Sequence, residues 1–215
     1  MSGLSALQEQ ALVSLARGLK VPWVLTGGAA LGGFHTRHRT TRDLDITPLD
    51  RLRLGDLPES VRACLAADGL DVALHRLGRE HCQLSVSDAH ESIVVDIVAG
   101  WSPASEAPGR LLVRGESILV DTPHELLVRK LMALFDRSEP RDLEDIRALM
   151  HSGGDLGRAV DDAGRAFSGL TANALASCLE TLPLVRLARV VGWDAGKTAE
   201  MDAYRLDLAQ SLRLG

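Results

Sequence analysis

The chain has 215 residues, a formal net charge of −5 and only 3% aromatic residues. That length suffices for one domain or two small ones with a proper core. The acidic balance excludes wholesale electrostatic capture of nucleic acid or an anionic membrane, while leaving room for a local basic patch.

Leu4 to Leu19 reads as an amphipathic helix, with Leu4, Leu7, Ala11, Leu12 and Leu15 on one stripe. Val21–Thr26 is a short apolar strand, followed by Gly27-Gly28 and a short helix from about Gly28 to Phe34 that starts on Ala29-Ala30-Leu31 and is weakened by Gly32-Gly33. Arg42–Thr47 is the second strand and Leu57–Asp68 a helix stopped by Gly69. Asp71–Leu77, His81–Val86 and Ser92–Val98 read as strands, Trp101–Arg110 as a loop, and Leu111–Val113 and Ser117–Val120 as two further short strands. From Thr122 the pattern turns helical. Thr122-Pro123-His124-Glu125 has the order of an N-cap, a proline at N1 and an acid at N3. Helices are expected to Asp136, then over Arg141–His151, Asp155–Phe167, Thr171–Glu180, Leu184–Val191 and Thr198–Leu212. The expected class is α+β, with a mixed α/β core over residues 1–121 and a helical part over 122–215.

The most informative stretch is Thr26-Gly27-Gly28 with Asp43-Leu44-Asp45 beginning fifteen residues after Gly28. A strand that feeds two glycines and a helix start presents backbone N–H groups, a cradle for phosphate. The period of two in a strand puts Asp43 and Asp45 on one face, with Leu44 and Ile46 on the other. Phosphate-holding backbone beside two parallel carboxylates suits metal-assisted phosphoryl or nucleotidyl transfer. A plainer reading pairs these acids with nearby arginines or uses them in a turn. Asp96, in Ile93-Val94-Val95-Asp96-Ile97-Val98, is a third acid among aliphatics, costly to bury unless paired, metal-bound or met by water. Lys130 lies on the Leu127, Leu131 and Leu134 stripe, where it either snorkels or reaches into a cleft toward a triphosphate. Asp142 and Asp145 raise the same choice one helix later, with helix N-terminal stabilisation as the plain alternative. Arg37, His38, Arg39 and Arg42 form a basic run, either a solvated loop or a neutraliser of substrate phosphates. Gly192-Trp193-Asp194-Ala195-Gly196-Lys197-Thr198 imitates a P-loop with one residue too few, after a helical segment; it is read as a turn ending at Gly196 with Thr198 capping the last helix. Cys64, Cys82 and Cys178 have no zinc spacing and read as free buried thiols in a reducing cytoplasm. No signal design and no membrane-spanning run is legible.

Gly27-Gly28-x-Ala30-Leu31 followed by Arg39-x-Thr41-x-Asp43-Leu44-Asp45 resembles the opening motif of AbiEii/AbiGii-type nucleotidyltransferase toxins, which have a DNA polymerase β-like minimal nucleotidyltransferase fold. Lys130-Leu131-x-Ala133-Leu134, Arg137 and Pro140-Arg141-Asp142-Leu143-x-Asp145-Ile146 resemble its second signature. The resemblance covers roughly residues 21–150. It implies that Gly27, Gly28, Arg39 and Lys130 bind the nucleotide, that Asp43, Asp45 and Asp96 hold Mg²⁺, and that Asp43, Asp45, Asp96, Lys130 and Asp142 are catalytic. It also implies an NTP substrate, an acceptor hydroxyl on RNA such as transfer RNA, a cognate antitoxin partner, no membrane association, a cytoplasmic location, and a helical part that completes the active site. Ala29 departs from the family pattern, standing where a Thr or Ser is expected. The rival readings are a small-molecule nucleotidyltransferase of the aminoglycoside-modifying kind and a catalytically silent nucleotide-binding protein of the same fold.

Overall fold

The computed structural model describes residues 3–100 and 105–214. Trp101 to Ala104 of the expected Trp101–Arg110 loop lie outside the described residues. The chain forms two compact units, residues 1–122 and 123–215.

The first unit is a seven-stranded mixed sheet with helices. Helix α1 (Ala6–Gly18) opens with a capping box: Ser5 accepts from the Gln8 amide and the Gln8 side chain answers the Ser5 amide. Its stripe of Leu7, Ala11, Leu12 and Leu15 is fully buried, each leucine contributing about 1.5–3 kcal/mol relative to exposure. Then follow β1 (Trp23–Thr26), α2 (Gly27–Ala30), a π-helical turn (Leu31–His35), β2 (Asp43–Pro48), α3 (Leu57–Ala67), β3 (Asp71–Leu77), β4 (His81–Ser87), β5 (Ser92–Val98), β6 (Gly109–Val113) and β7 (Glu116–Val120). The expected single helix after Gly28 is thus split into a short α segment and a wider turn that contains Gly32 and Gly33. The strands lie in the order β3-β4-β5-β2-β1-β7-β6, with β2–β5 and β1–β7 parallel and the other pairs antiparallel.

Alternation divides the sheet. Leu44, Ile46, Cys82, Leu84, Val86, Ile93, Val95 and Ile97 are buried on one face, where α1 and α3 pack against strands. The polar residues between them occupy the other face, and this is the face that carries the candidate site.

The second unit is helical: α4 (Pro123–Arg137), α5 (Pro140–His151), α6 (Leu156–Ala166), α7 (Ala172–Thr181), α8 (Leu184–Val190) and α9 (Ala195–Leu214). Asp155 and Thr171 cap α6 and α7 through their side chains. The P-loop imitation contains no strand, since α8 precedes it. Gly196 does not end a turn there but lies in the first turn of α9, and Asp194, not Thr198, accepts the Lys197 amide at 2.7 Å. An aspartate three residues before an unpaired amide competes well for that position. The thiols are unbridged, but only Cys82 is buried; Cys64 and Cys178 are partly exposed.

Candidate active site

Strand pairing lines up the acids. Asp45 on β2 stands opposite Asp96 on β5 and opposite Thr26 on β1. Gln83 on β4 stands opposite Asp96, and Arg76 on β3 opposite Gln83. The row Arg76, Gln83, Asp96, Asp45, Thr26 therefore crosses five adjacent strands on one face, with strands about 4.8 Å apart. Asp43 lies two residues from Asp45 on the same face, opposite Val94.

Local contacts fix each group. Gln8 of α1 donates its Nε2 to the Thr41 carbonyl (3.0 Å) and the Asp43 carbonyl (3.5 Å), tying the entry of β2 to the first helix. The Thr41 hydroxyl accepts the Asp43 amide at 3.2 Å and lies 3.5 Å from Asp43 Oδ2. Gly27 adopts φ +64, a conformation that favours glycine. A Cβ at Gly27 would fall 2.0 Å from Asp45 Oδ2, so the backbone turn is pressed against that carboxylate. A Cβ at Gly28 would fall 3.2 Å from Arg39 Nη2, which places the guanidinium over the second glycine. Asp96 is not a lone acid among aliphatics. His81 Nε2 lies 2.7 Å from its Oδ1, and Gln83 Nε2 donates to Oδ1 at 3.1 Å and to Oδ2 at 3.4 Å. The Thr26 hydroxyl is buried and has no hydrogen-bond partner among the described residues, and Ala29 is fully buried.

Lys130, Asp142 and Asp145 make a separate cluster inside the helical unit. Lys130 Nζ lies 3.0 Å from Asp142 Oδ1 and 2.8 Å from Asp145 Oδ2, and both carboxylates are fully buried. Arg137 closes on Asp142 with two nitrogens, Nε to Oδ2 at 2.9 Å and Nη2 to Oδ1 at 3.0 Å, a bidentate pairing. Burial pulls the lysine pKa down, but Asp145 and Asp142 outweigh it and hold the ammonium above its ordinary value.

The structure thus brings Gly27, Gly28, Arg39, Asp43, Asp45 and Asp96 together in the first unit, and Lys130 and Asp142 in the second. His81 and Gln83 were not singled out from sequence, and Thr26 and Thr41 stood in its motifs without a role. The alternation of β4 was a signal for His81 and Gln83, but their target depended on the β4–β5 register.

Among the described residues, no three His, Cys, Asp or Glu side chains converge into a metal-holding group. That does not exclude Mg²⁺, which takes one or two carboxylates and completes its octahedron with water and substrate phosphates. Asp43 and Asp45, parallel and beside a phosphate-ready turn, have the chemistry for such a partial site.

A strand feeding a double glycine, paired with a strand carrying Asp-x-Asp, in a mixed sheet followed by helices, defines a nucleotidyltransferase. The profile of the family described as "Nucleotidyl transferase AbiEii toxin, Type IV TA system" matches residues 10–192, and the chain belongs to that family. Family membership carries an NTP substrate and an antitoxin partner as general properties. No curated protein matches. In fold, the chain is similar to JHP933 from Helicobacter pylori, with TM-score 0.52 and 19% identity over 95% of this chain and 89% of that one. It is also similar to the nucleotidyltransferase toxin MenT4 from Mycobacterium tuberculosis, with TM-score 0.51 and 17% identity over 96% and 90%. An antigenic nucleotidyltransferase-like protein from Paracoccidioides brasiliensis aligns with TM-score 0.53 and 14% identity over 94% and 95%. No helix among the described residues is long and apolar enough to cross a membrane.

Proposed function

We propose that the chain transfers a nucleotide from a nucleoside triphosphate to an acceptor hydroxyl on RNA, in the role of the toxin of a toxin–antitoxin pair. The observation that carries this reading is the alignment of Asp45 with Asp96 across β2 and β5, with the Gly27 turn pressed against Asp45.

In this reading the Gly27 and Gly28 amides, at the start of a helical turn, hold phosphate oxygens, and Arg39 above Gly28 neutralises their charge. Asp43 and Asp45 hold Mg²⁺, which when bound neutralises charge on the triphosphate and on the leaving pyrophosphate. Thr26 Oγ1 offers the hydroxyl that Ala29 lacks. His81 and Gln83 both engage Oδ1 of Asp96 and so orient its carboxylate. Among the described residues Oδ2 has only the 3.4 Å contact to Gln83, and it is the oxygen that accepts the acceptor's hydroxyl proton. The acceptor oxygen then bonds to the α-phosphorus in line with the bond to the β-phosphate oxygen, that bond breaks, and pyrophosphate leaves. The resemblance also gives Lys130 a nucleotide contact. Two of the three protons of its ammonium are directed to Asp142 and Asp145 within the helical unit. Asp142 and Asp145 then act as positioning residues.

The test is incubation with each α-labelled triphosphate, Mg²⁺ and total RNA. Label in RNA is the expected result. Label appearing instead on an aminoglycoside supplied in parallel overturns the RNA acceptor. Nucleotide binding without pyrophosphate release overturns catalysis and leaves the silent-binder reading.

A further inference from the structure

The row of polar residues continues past Asp96 to an edge of the sheet, and a β-bulge decides what ends it. From Asp71 to Leu74 the pairing of β3 with β4 is regular: Val72 opposes Val86, Ala73 opposes Ser85 and Leu74 opposes Leu84. The next pair is Arg76 with Gln83, so β3 advances two residues while β4 advances one. Strict alternation would put Arg76 on the apolar face with Leu74. The extra residue, His75, moves it to the face of Gln83, Asp96 and Asp45, and sends Leu77 to the side of Cys82. Bulges beside active sites commonly re-aim a side chain in this way.

Arg76 is exposed, and its side chain makes no hydrogen bond or ion pair among the described residues. It stands two strands from Asp96, roughly 10 Å between Cα atoms. It lies on the side of Asp96 away from the Gly27 turn. A triphosphate held at Gly27 and Asp45 leaves that side for the acceptor.

We propose that Arg76 is a phosphate contact for the acceptor strand: it grips a phosphodiester of the RNA whose terminal hydroxyl lies at Asp96. This rests on the nucleotidyltransferase reading of the acid row. An exposed guanidinium without a carboxylate partner is suited to such a contact, since Arg offers a fork of donors that fits phosphate and is weakly hydrated. A bulge also blunts an edge strand against pairing, but that role is indifferent to the side chain at position 76.

The experiment uses the full chain and a 5′-labelled single-stranded RNA with a free 3′ hydroxyl. Nucleotide binding by the wild type, read from its thermal melt with NTP and Mg²⁺, tests the underlying reading separately. For Arg76→Gln, the RNA Kd and KM are expected to rise about tenfold, with the slope of log K against log salt shallower by about 0.7. The NTP affinity and the melt are expected to stay at wild-type values. Arg76→Lys keeps the charge and should keep the salt slope. Arg110→Ala, an exposed arginine on β6 at the opposite edge, should leave RNA binding unchanged. If the wild type binds nucleotide but RNA binding is absent, insensitive to Arg76→Gln, or equally weakened by Arg110→Ala, the inference is overturned and the reading of the acid row stands. If the wild type binds neither, both fall.

Discussion

The chain contains two clusters of three acidic or basic groups that the sequence presents in similar terms, and they are built on opposite principles. Asp43, Asp45 and Asp96 are half-buried on an open sheet face. Asp96 is met by a histidine and a neutral amide, and Asp45 by a glycine turn. Lys130, Asp142 and Asp145 are buried, with the cation seated between two fully buried carboxylates and a second cation, Arg137, closing on Asp142. The first cluster lies half-buried on an open sheet face, where a ligand can reach it. The second has largely spent its charge internally. The contrast is one of access: the carboxylates of the first cluster are within reach of a ligand, while those of the second are wholly buried.

Substituting the buried cluster gives the largest stability effect. Lys130→Met removes the cation from between two buried carboxylates, a change that costs about 3–5 kcal/mol in comparable pairs. Urea melts should show that loss. A variant as stable as the wild type would mean that the cluster is not the fixed element described here. The acid row responds differently. Gly27→Ala forces a side chain into φ +64, at about 1–3 kcal/mol, and drives its methyl into the Asp45 carboxylate. Transfer should fall far more than stability. A fall in activity no greater than that of another variant with the same melt would dissociate the turn from Asp45.

The smallest effect is one of pH. The folded-state pKa of Lys130 is raised, so its contribution is complete below the unfolded value of about 10.4 and is lost as pH rises through the higher folded value. Tyr204, pushed up to about 12 by burial against the weaker opposing field of Arg147, has the same sign in an overlapping window. The stability difference between wild type and Lys130→Met isolates the lysine. It should be flat from neutral pH to about 10 and shrink above that. A difference that grows with alkali would contradict the pairing.

What could be read from the sequence was what depends on near neighbours. The Asp43–Asp45 face follows from a period of two, and the start of α4 at Pro123 from the order Thr122-Pro123-His124-Glu125. The split after Gly28 escaped because two glycines leave helix type to tertiary contacts. The Asp45–Asp96 alignment was not legible, because parallel register between strands about fifty residues apart is set by packing of the whole sheet. The bulge at His75 left only a trace: Leu77 breaks the period of two kept by Val72 and Leu74, but where the extra residue sits needed the register with β4. Lys130 was placed correctly on a core stripe, but the identity of its partners required the packing of α4 against α5.

The most direct test of the central claim, that the acid row performs the transfer, is Asp45→Asn, assayed for label transfer from α-labelled triphosphate and for melting with and without Mg²⁺ and nucleotide. The account predicts a loss of transfer on the order of a thousand-fold or more, a ligand-free melt close to wild type, and loss of the Mg²⁺-dependent stabilisation by nucleotide that the wild type has. Transfer by Asp45→Asn at the wild-type rate would contradict it.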